Sequence, residues 1–356
     1  MQEVMTPAIK ITKVAQSRVK QVDINNNIVM GTQFSDHMFI CDYQNGEWIN
    51  ARIEPLALVP THPAAMALHY GQAIFEGMKA TLGKDGTPLL FRPEENAKRL
   101  NHSADRMGMP LFPEDLFVEA LKQFTALEKE WIPTQEGSAL YLRPFMYADE
   151  AFIGMRAATS FKFIVMGSPS GPFFSRKIKL FAEKKYVRAV NGGTGEAKAA
   201  GNYAAAIRPT EYAKAQGYDQ VLWLDAQEFE YIQEVGTMNI FFKIAGKFIT
   251  PDLSGTILSG ITRMSVIDVL RDKGFEVTER PIKISEIMEA SKKGTLEEAF
   301  GTGTAVGIAM VEEIGNNDFS IQFPEANPVS VMVNDTLNAI KVQDLEDKFG
   351  WIVEAK

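Results

Sequence analysis

The chain is poor in the residues that build disulfide frameworks and metal centres. A single cysteine, Cys41, excludes an internal disulfide and any CxxC redox or zinc motif. The four histidines, His37, His62, His69 and His102, stand at no metal-ligand spacing and have no acid cluster beside them, so no metal is expected. Basic runs are absent, and 37 Lys+Arg against 45 Asp+Glu leave a net charge of -8, which repels a nucleic-acid backbone. Apolar stretches fall far short of the ~20 residues that cross a bilayer. Met1 to Val22 has no apolar segment followed by a small-residue cleavage site, so no secretory signal is expected, and a reducing cytoplasm suits the cysteine content.

What is present is an ordinary globular composition, 46% hydrophobic and 23% charged, in 356 residues. Single cores stop growing at ~250 to 300 residues, so two domains are expected. Phe91 to Gly108 reads as a helix, with Pro93, Glu94 and Glu95 suited to its first turn and Ala97, Leu100, Ala104 and Met107 at helical spacing; Arg99 falls on its exposed side. Glu114 to Trp131 reads as a second helix, with Phe117, Leu121, Phe124 and Leu127 on one stripe. Leu140 to Met146 and Phe161 to Met166 read as strands. Gly167 to Pro172 breaks both periods and marks a linker, giving an N-terminal domain 1–170, a linker 171–184 and a C-terminal domain 185–356. Beyond it, Ile178 to Ala182, Gln220 to Leu224, Asn239 to Ile244 and Phe275 to Arg280 look like strands. Thr262 to Lys273 and Pro328 to Ile340 look like helices. No internal repeat occurs, and element order leaves parallel and antiparallel sheets both open.

Three glycine-rich segments invite chemistry. In Asn191 to Tyr203, small residues crowd Lys198 from both sides, but Ala197 and Ala199 stand where a phosphate-loop NTPase needs Gly and Ser or Thr. Taken alone, the segment reads first as a glycine-rich turn before a solvated lysine, and only second as a catalytic lysine. Gly301-Thr302-Gly303-Thr304 does not match a dinucleotide fingerprint. As a turn it could offer N–H groups and hydroxyls to an anion, as could the helix start at Ser259-Gly260-Ile261-Thr262-Arg263, with Thr262 as cap. Either is also readable as purely structural. Gly167-Ser168-Pro169-Ser170-Gly171 has proline where a nucleophilic serine would sit, which excludes a serine hydrolase elbow.

Read together, Ala67 to Lys79, Leu90-Phe91-Arg92-Pro93, Tyr141-Leu142-Arg143-Pro144, the lysine segment ending Gly201-Asn202-Tyr203, Gln233 to Asn239 and Ser259 to Arg263 resemble the branched-chain aminotransferases of pyridoxal-phosphate fold type IV. The resemblance implies a mixed α+β fold, with a smaller N-terminal α+β domain, a larger C-terminal pseudo-barrel and the cofactor between them, in a cytoplasmic homodimer. It implies transamination of leucine, isoleucine and valine with 2-oxoglutarate by a ping-pong route, and no membrane or nucleic-acid partner.

By the same resemblance Lys198 carries pyridoxal 5'-phosphate as a Schiff base and then moves the proton, which needs a neutral amine; cationic Arg99 and Arg188 nearby would favour that form. Glu234 matches the acid at the pyridine nitrogen, Tyr203 the phenol at the ring oxygen, and Arg99, Ile261, Thr262 and Thr304 the phosphate ligands, with Arg188 near the cofactor. Phe34, Tyr70, Phe75 and Tyr141 match an apolar substrate pocket. Arg143 matches the cation for a distal carboxylate, and Thr304, Ala305 and the Tyr141 hydroxyl match the alpha-carboxylate site. Vertebrate members carry a CxxC after the Gly-Thr turn; Val306 and Ala309 stand there here, so thiol regulation does not carry over. Rival readings are a D-amino-acid aminotransferase, an aminodeoxychorismate lyase, and a catalytically silent pyridoxal-phosphate-binding protein. The Tyr141 to Arg143 and Glu234 to Asn239 segments weigh against the first two, and intact Lys198, Tyr203 and Glu234 against the third.

Overall fold

A computed structural model describes residues 8–26, 28–171 and 176–356. It divides into two compact units. One gathers the described residues up to 171 with Ala197–Gly201 and Ala339–Lys356; the other holds the described residues from 176 to Glu196 and Asn202–Asn338. Part of the segment read for a secretory signal, 1–7, and part of the expected linker, 172–175, lie outside the described residues.

The first unit is built on a mixed sheet in the order Lys10–Ile11, Glu47–Pro55, His37–Gln44, Phe161–Ser170, Ala139–Ala148, Met78–Leu82, Pro88–Phe91 and Ile352–Glu354, with Ala73–Phe75 also paired to Ala139–Ala148. Ala139–Ala148 alternates buried and half-buried residues along its second half, the period of a strand with one face on a core. The Pro93–Arg106 and Glu114–Leu127 helices supply that core with Ala97, Leu100, Ala104, Phe117, Leu121 and Phe124. Pro93 takes the first helical position, where a missing N–H costs nothing. Arg92 before it has φ +52°.

Two expectations shift here. The second helix ends at Leu127, and Lys129–Trp131 tightens into a 3-10 turn. The strand expected to stop at Met166 runs on to Ser170, through the start of the expected linker. His37–Gln44 pairs with it only as far as Met166, after which its sole ladder partner is Ala139–Leu142. A strand with one open side tolerates Pro169, which has no N–H to give.

In the second unit the sheet order is Ile232–Val235, Gln220–Leu224, Ile178–Ala182, Gly307–Gly315, Leu296–Gly303, Asn239–Ile244, Lys247–Thr250 and Val277–Glu279, with Ser320–Gln322 on Gly307–Gly315. Ile178–Ala182, inside the segment 171–184 expected as a linker, is an interior strand of this sheet, parallel to both its neighbours. Val235 bridges to Met238 across a turn at Gly236, φ +54°, so the sheet's first strand is tied to its sixth and the sheet curls. The Ile261–Asp272 helix packs on it through Val266, Ile267, Val269 and Leu270.

A single cut near 171 does not describe how the chain sorts. Phe75 donates its N–H to the Lys198 carbonyl at 3.1 Å and Ile74 bridges to Ala199, which holds Ala197–Gly201 in the first unit. Ile352–Glu354 returns there as an antiparallel partner of Leu89–Phe91.

Candidate active site

The first unit assembles a charged cluster around Lys198. The lysine's backbone is fixed from two sides: its carbonyl by Phe75, and its N–H by the Ser103 hydroxyl at 2.9 Å, which itself donates to the Arg99 carbonyl at 2.9 Å. Its Nζ lies 5.1 Å from the centre of the Phe75 ring. Burial, reinforced by the charge of Arg99, pushes the Lys198 ammonium down to about 8; Glu76 and Tyr141 oppose that shift and Arg143 adds to it. An amine poised there is substantially neutral near pH 8, as a nucleophile must be.

Arg99 is not on the exposed side of its helix. Its side chain is 8% exposed and forks onto Glu76, which is 0% exposed. Arg99 Nε donates to Glu76 Oε1 at 2.8 Å and Nη2 to Oε2 at 2.7 Å, while Asn96 Nδ2 donates to Oε2 at 2.7 Å. Burial alone would raise the Glu76 carboxyl, but the charge and hydrogen bonds of Arg99, with Lys198 and Asn96 adding to them, hold it below the usual carboxylate range. A carboxylate brought from a different part of the chain covers the polar edge of the helix, so helical periodicity could not reveal the burial.

Beside this pair, Arg143 Nη2 donates to the Tyr141 hydroxyl at 3.1 Å, and its guanidinium stands 4.7 Å from the Phe75 ring centre and 5.3 Å from that of Tyr141. Among the described residues, Arg143 Nε is buried with no hydrogen-bond partner. Gly77 makes this approach possible, since a Cβ there would lie 2.0 Å from the Tyr141 oxygen. Of the other expected pocket residues, Phe34 is half-buried and its carbonyl accepts from Arg18 at 3.2 Å. Tyr70 is 41% exposed and ends the short Met66–Tyr70 helix beside His69.

The second unit gathers a separate set. Glu234 is 2% exposed; Oε2 accepts from Arg188 Nε at 2.9 Å and Oε1 from the Leu258 N–H at 2.6 Å. Arg188 also donates to the carbonyls of Thr256 and Gly195, at 2.7 and 3.0 Å. Tyr203 lies in the Ala200–Ala215 helix. The helix expected to be capped by Thr262 starts one residue earlier: Gly260 is the cap and makes no side-chain cap bond, so Ile261 and Thr262 form the first turn. Gly260 is required there, because a Cβ would come within 1.9 Å of Asn239 Oδ1. The expected Gly-Thr-Gly-Thr turn is mostly strand. Leu296–Gly303 includes Gly301, Thr302 and Gly303, and only Thr304, Ala305 and Val306 form the turn before Gly307.

Each unit by itself carries groups that suit pyridoxal phosphate: in the first, the Lys198 amine suits a carbonyl and Arg99 a phosphate; in the second, the buried Glu234 carboxylate suits a pyridine nitrogen and the first turn of a 12-residue helix suits a phosphate. Sequence reasoning missed Glu76, Asn96, Ser103, Asn239 and Leu258. One signal was available: Asn96, Arg99 and Ser103 recur at helical spacing and so share a polar edge of one helix.

Residues 73–314 match the amino-transferase class IV family. The chain is 46% identical over 335 residues to branched-chain-amino-acid aminotransferase 2 of Bacillus subtilis strain 168, covering 92% of each. Its structure resembles that of the Escherichia coli branched-chain amino acid aminotransferase, with a TM-score of 0.74, 25% identity, and coverage of 90% of this chain and 99% of that one. It also resembles the T.th. branched-chain amino acid aminotransferase complexed with N-(5'-phosphopyridoxyl)-L-glutamate, with a TM-score of 0.72, 25% identity, and coverage of 89% and 98%.

Proposed function

This chain belongs to the branched-chain-amino-acid aminotransferases of class IV, and we propose that it moves the amino group of leucine, isoleucine and valine to 2-oxoglutarate with pyridoxal 5'-phosphate bound at Lys198. The observation that carries the cofactor assignment is the setting of Lys198, whose backbone is fixed by Phe75 and Ser103 and whose amine is acted on by the buried Arg99–Glu76 pair. The relative crystallised with a phosphopyridoxyl-glutamate adduct supports both the cofactor class and glutamate as the shared amino donor.

When bound, the cofactor supplies an electrophilic carbon and an electron sink for the substrate's alpha carbon. In this reading Lys198 would hold it and, once the substrate's amino group has displaced the lysine, the freed amine would take the proton from the substrate's alpha carbon and deliver it to the cofactor's C4'. Glu234, held by Arg188 at 2.9 Å, would pair with the pyridine nitrogen. Tyr203 donates to the ring oxygen, and Arg99, Ile261, Thr262 and Thr304 receive the phosphate. Phe34, Tyr70, Phe75 and Tyr141 line the substrate's apolar wall, while Arg143, whose buried Nε lacks a partner among the described residues, receives a distal carboxylate. Thr304, Ala305 and the Tyr141 hydroxyl receive the alpha-carboxylate. The first oxo acid would leave, its amino group retained by the enzyme, before the second substrate enters, a ping-pong cycle in which both substrates meet the same residues in turn.

A cytoplasmic homodimer completes the proposal. Among the described residues no helix is long and apolar enough to cross a membrane. Leu68, Ile153 and Met155 are 67%, 71% and 97% exposed, large apolar side chains of the kind a second copy would cover. Borohydride reduction and peptide mapping test the central assignment: label belongs on Lys198, and label on Lys184, Lys185 or another lysine overturns it. Steady-state rates with leucine against D-alanine separate this reading from a D-amino-acid aminotransferase.

A further inference from the structure

Glu76 has no part in the proposed chemistry, yet it is the most completely buried carboxylate in the Lys198 cluster. It sits between the Ala73–Phe75 and Met78–Leu82 strands and receives Arg99 through two nitrogens, Asn96 through its amide, and the Gly77 N–H at 3.3 Å. A buried carboxylate is stable only with such partners, and a forked guanidinium–carboxylate pair fixes the plane of the arginine as well as its place. Among the charged and titratable groups that act on the Lys198 amine are Arg99, Glu76, Tyr141 and Arg143. Without Glu76 both charged side chains in that set are cationic.

We propose that Glu76 is the positioning residue of this site: its carboxylate orients Arg99 for the cofactor phosphate and offsets the cations around Lys198. This rests on the assignment of Lys198 and Arg99 to the cofactor, but the charge balance is a property of the cofactor-free chain. Two effects separate Glu76 from a residue that merely fills space. Removing its charge while keeping its shape moves the protonation midpoint of Lys198 down. Removing Arg99's charge moves it up.

The test is trace acetylation of the cofactor-free protein across about pH 6 to pH 11, with the Lys198 peptide quantified against surface lysines. Wild type should give a midpoint near the value of about 8. Glu76→Gln should lower it by about one pH unit, raising the Lys198 labelling rate at pH 7 by about fivefold. Glu76→Asp, which keeps the charge, should stay near wild type, and Arg99→Gln should shift the midpoint upward. The double variant Glu76→Gln with Arg99→Gln should fall between the two single changes. An unchanged midpoint in Glu76→Gln overturns the proposal; if that variant does not fold, an unchanged midpoint in Arg99→Gln does so. The orienting role is read separately, from inorganic phosphate protection of the cofactor-free protein against thermal unfolding. Glu76→Asp should keep more of that protection than Glu76→Gln, and equal protection in the two overturns this half. Failure of the cofactor assignment shows elsewhere, as borohydride label on a lysine other than Lys198.

Discussion

Arg188 holds Glu234 from one side at 2.9 Å while it also donates to the backbone of two turns, at Thr256 and Gly195. The arginine is thus a staple as well as a counter-ion: the Gly195 turn leads directly into the Lys198 segment, and the Thr256 turn precedes the Leu258 N–H that caps Glu234's other oxygen. Both side chains are nearly excluded from solvent, at 7% and 2% exposure, so removing one leaves the other as an uncompensated interior charge.

Arg188→Met keeps the volume and deletes the charge. Its expected cost is about 3 to 5 kcal/mol, the range for breaking one partner out of a buried pair. Adding Glu234→Gln should recover part of that loss, because a neutral amide does not carry the desolvation penalty of a carboxylate. Denaturant unfolding of the cofactor-free forms measures both. A loss below about 1 kcal/mol in the single variant would falsify the staple.

Two glycines are fixed by close approach. Alanine at Gly77 would put a carbon 2.0 Å from the Tyr141 oxygen, and at Gly260 one 1.9 Å from Asn239 Oδ1. The Tyr141 ring must swing in the first case, loosening Arg143. In the second Asn239 must leave the Leu258 carbonyl it binds at 2.9 Å. Each substitution should cost about 1 to 3 kcal/mol. Gly201→Ala meets nothing within 4 Å and should be neutral or stabilise by about 0.5 to 1 kcal/mol. Thermal denaturation of the three variants should place Gly201→Ala at or above wild type and the other two below it.

Much of the fold was legible where local chemistry decides it. The Pro93–Arg106 helix announces itself by Pro93, Glu94 and Glu95, and interior strands such as Ile178–Ala182 and Gln220–Leu224 by compact apolar runs. Misreadings arose where a distant partner overrides the local signal. Pro169 reads as a breaker until one side of its strand is seen to need no ladder. Arg99 reads as solvated until Glu76 arrives from the strand pair that precedes it. The site divides in the same way. Lys198, Tyr141, Arg143 and Glu234 lie in segments with a recognisable family pattern, whereas the Ser103 and Asn239 side chains and the Leu258 N–H bind groups distant in sequence, which residue types do not encode.

Lys79 and Lys341 give a pH dependence whose sign can be worked out. Burial pushes each ammonium down to about 8, and Lys79 adds its charge to the effect on Lys341. The unfolded chain holds those protons up to about 10.4, so between the two values it binds more protons than the folded chain and stability rises with pH. Their penalty is therefore fully present below about 8 and relieved above about 10.5. Lys341→Met should stabilise the protein at pH 7, and the difference from wild type should shrink as pH rises through that window. Urea midpoints of the two proteins at matched pH provide the measurement, and a difference independent of pH would contradict the assignment.

The last expectation rests on the proposed function and concerns how one site would serve leucine and glutamate in turn. A branched side chain gains ~0.8 kcal/mol per methylene buried on Phe75 and its neighbours, but those rings offer a carboxylate nothing. Burying that carboxylate unpaired would cost several kcal/mol, so a cation must meet it. In the proposed function Arg143 is the candidate for this; its guanidinium lies over Phe75 and Tyr141, and it donates to the Tyr141 hydroxyl at 3.1 Å. Arg143→Gln should therefore lower kcat/KM for glutamate and 2-oxoglutarate by about 10-fold to 100-fold, in line with ~1.5 to 3 kcal/mol for a charged hydrogen bond, and change leucine little. Phe75→Ala should act in the opposite sense on leucine. It also removes one ring from beneath Arg143, so glutamate should lose a smaller factor instead of none. Single-turnover half-reactions with each donor separate these outcomes, because each isolates one substrate on the same form of the enzyme. Equal losses for leucine and glutamate in Arg143→Gln would mean that the arginine supports the site as a whole and does not discriminate between its two occupants.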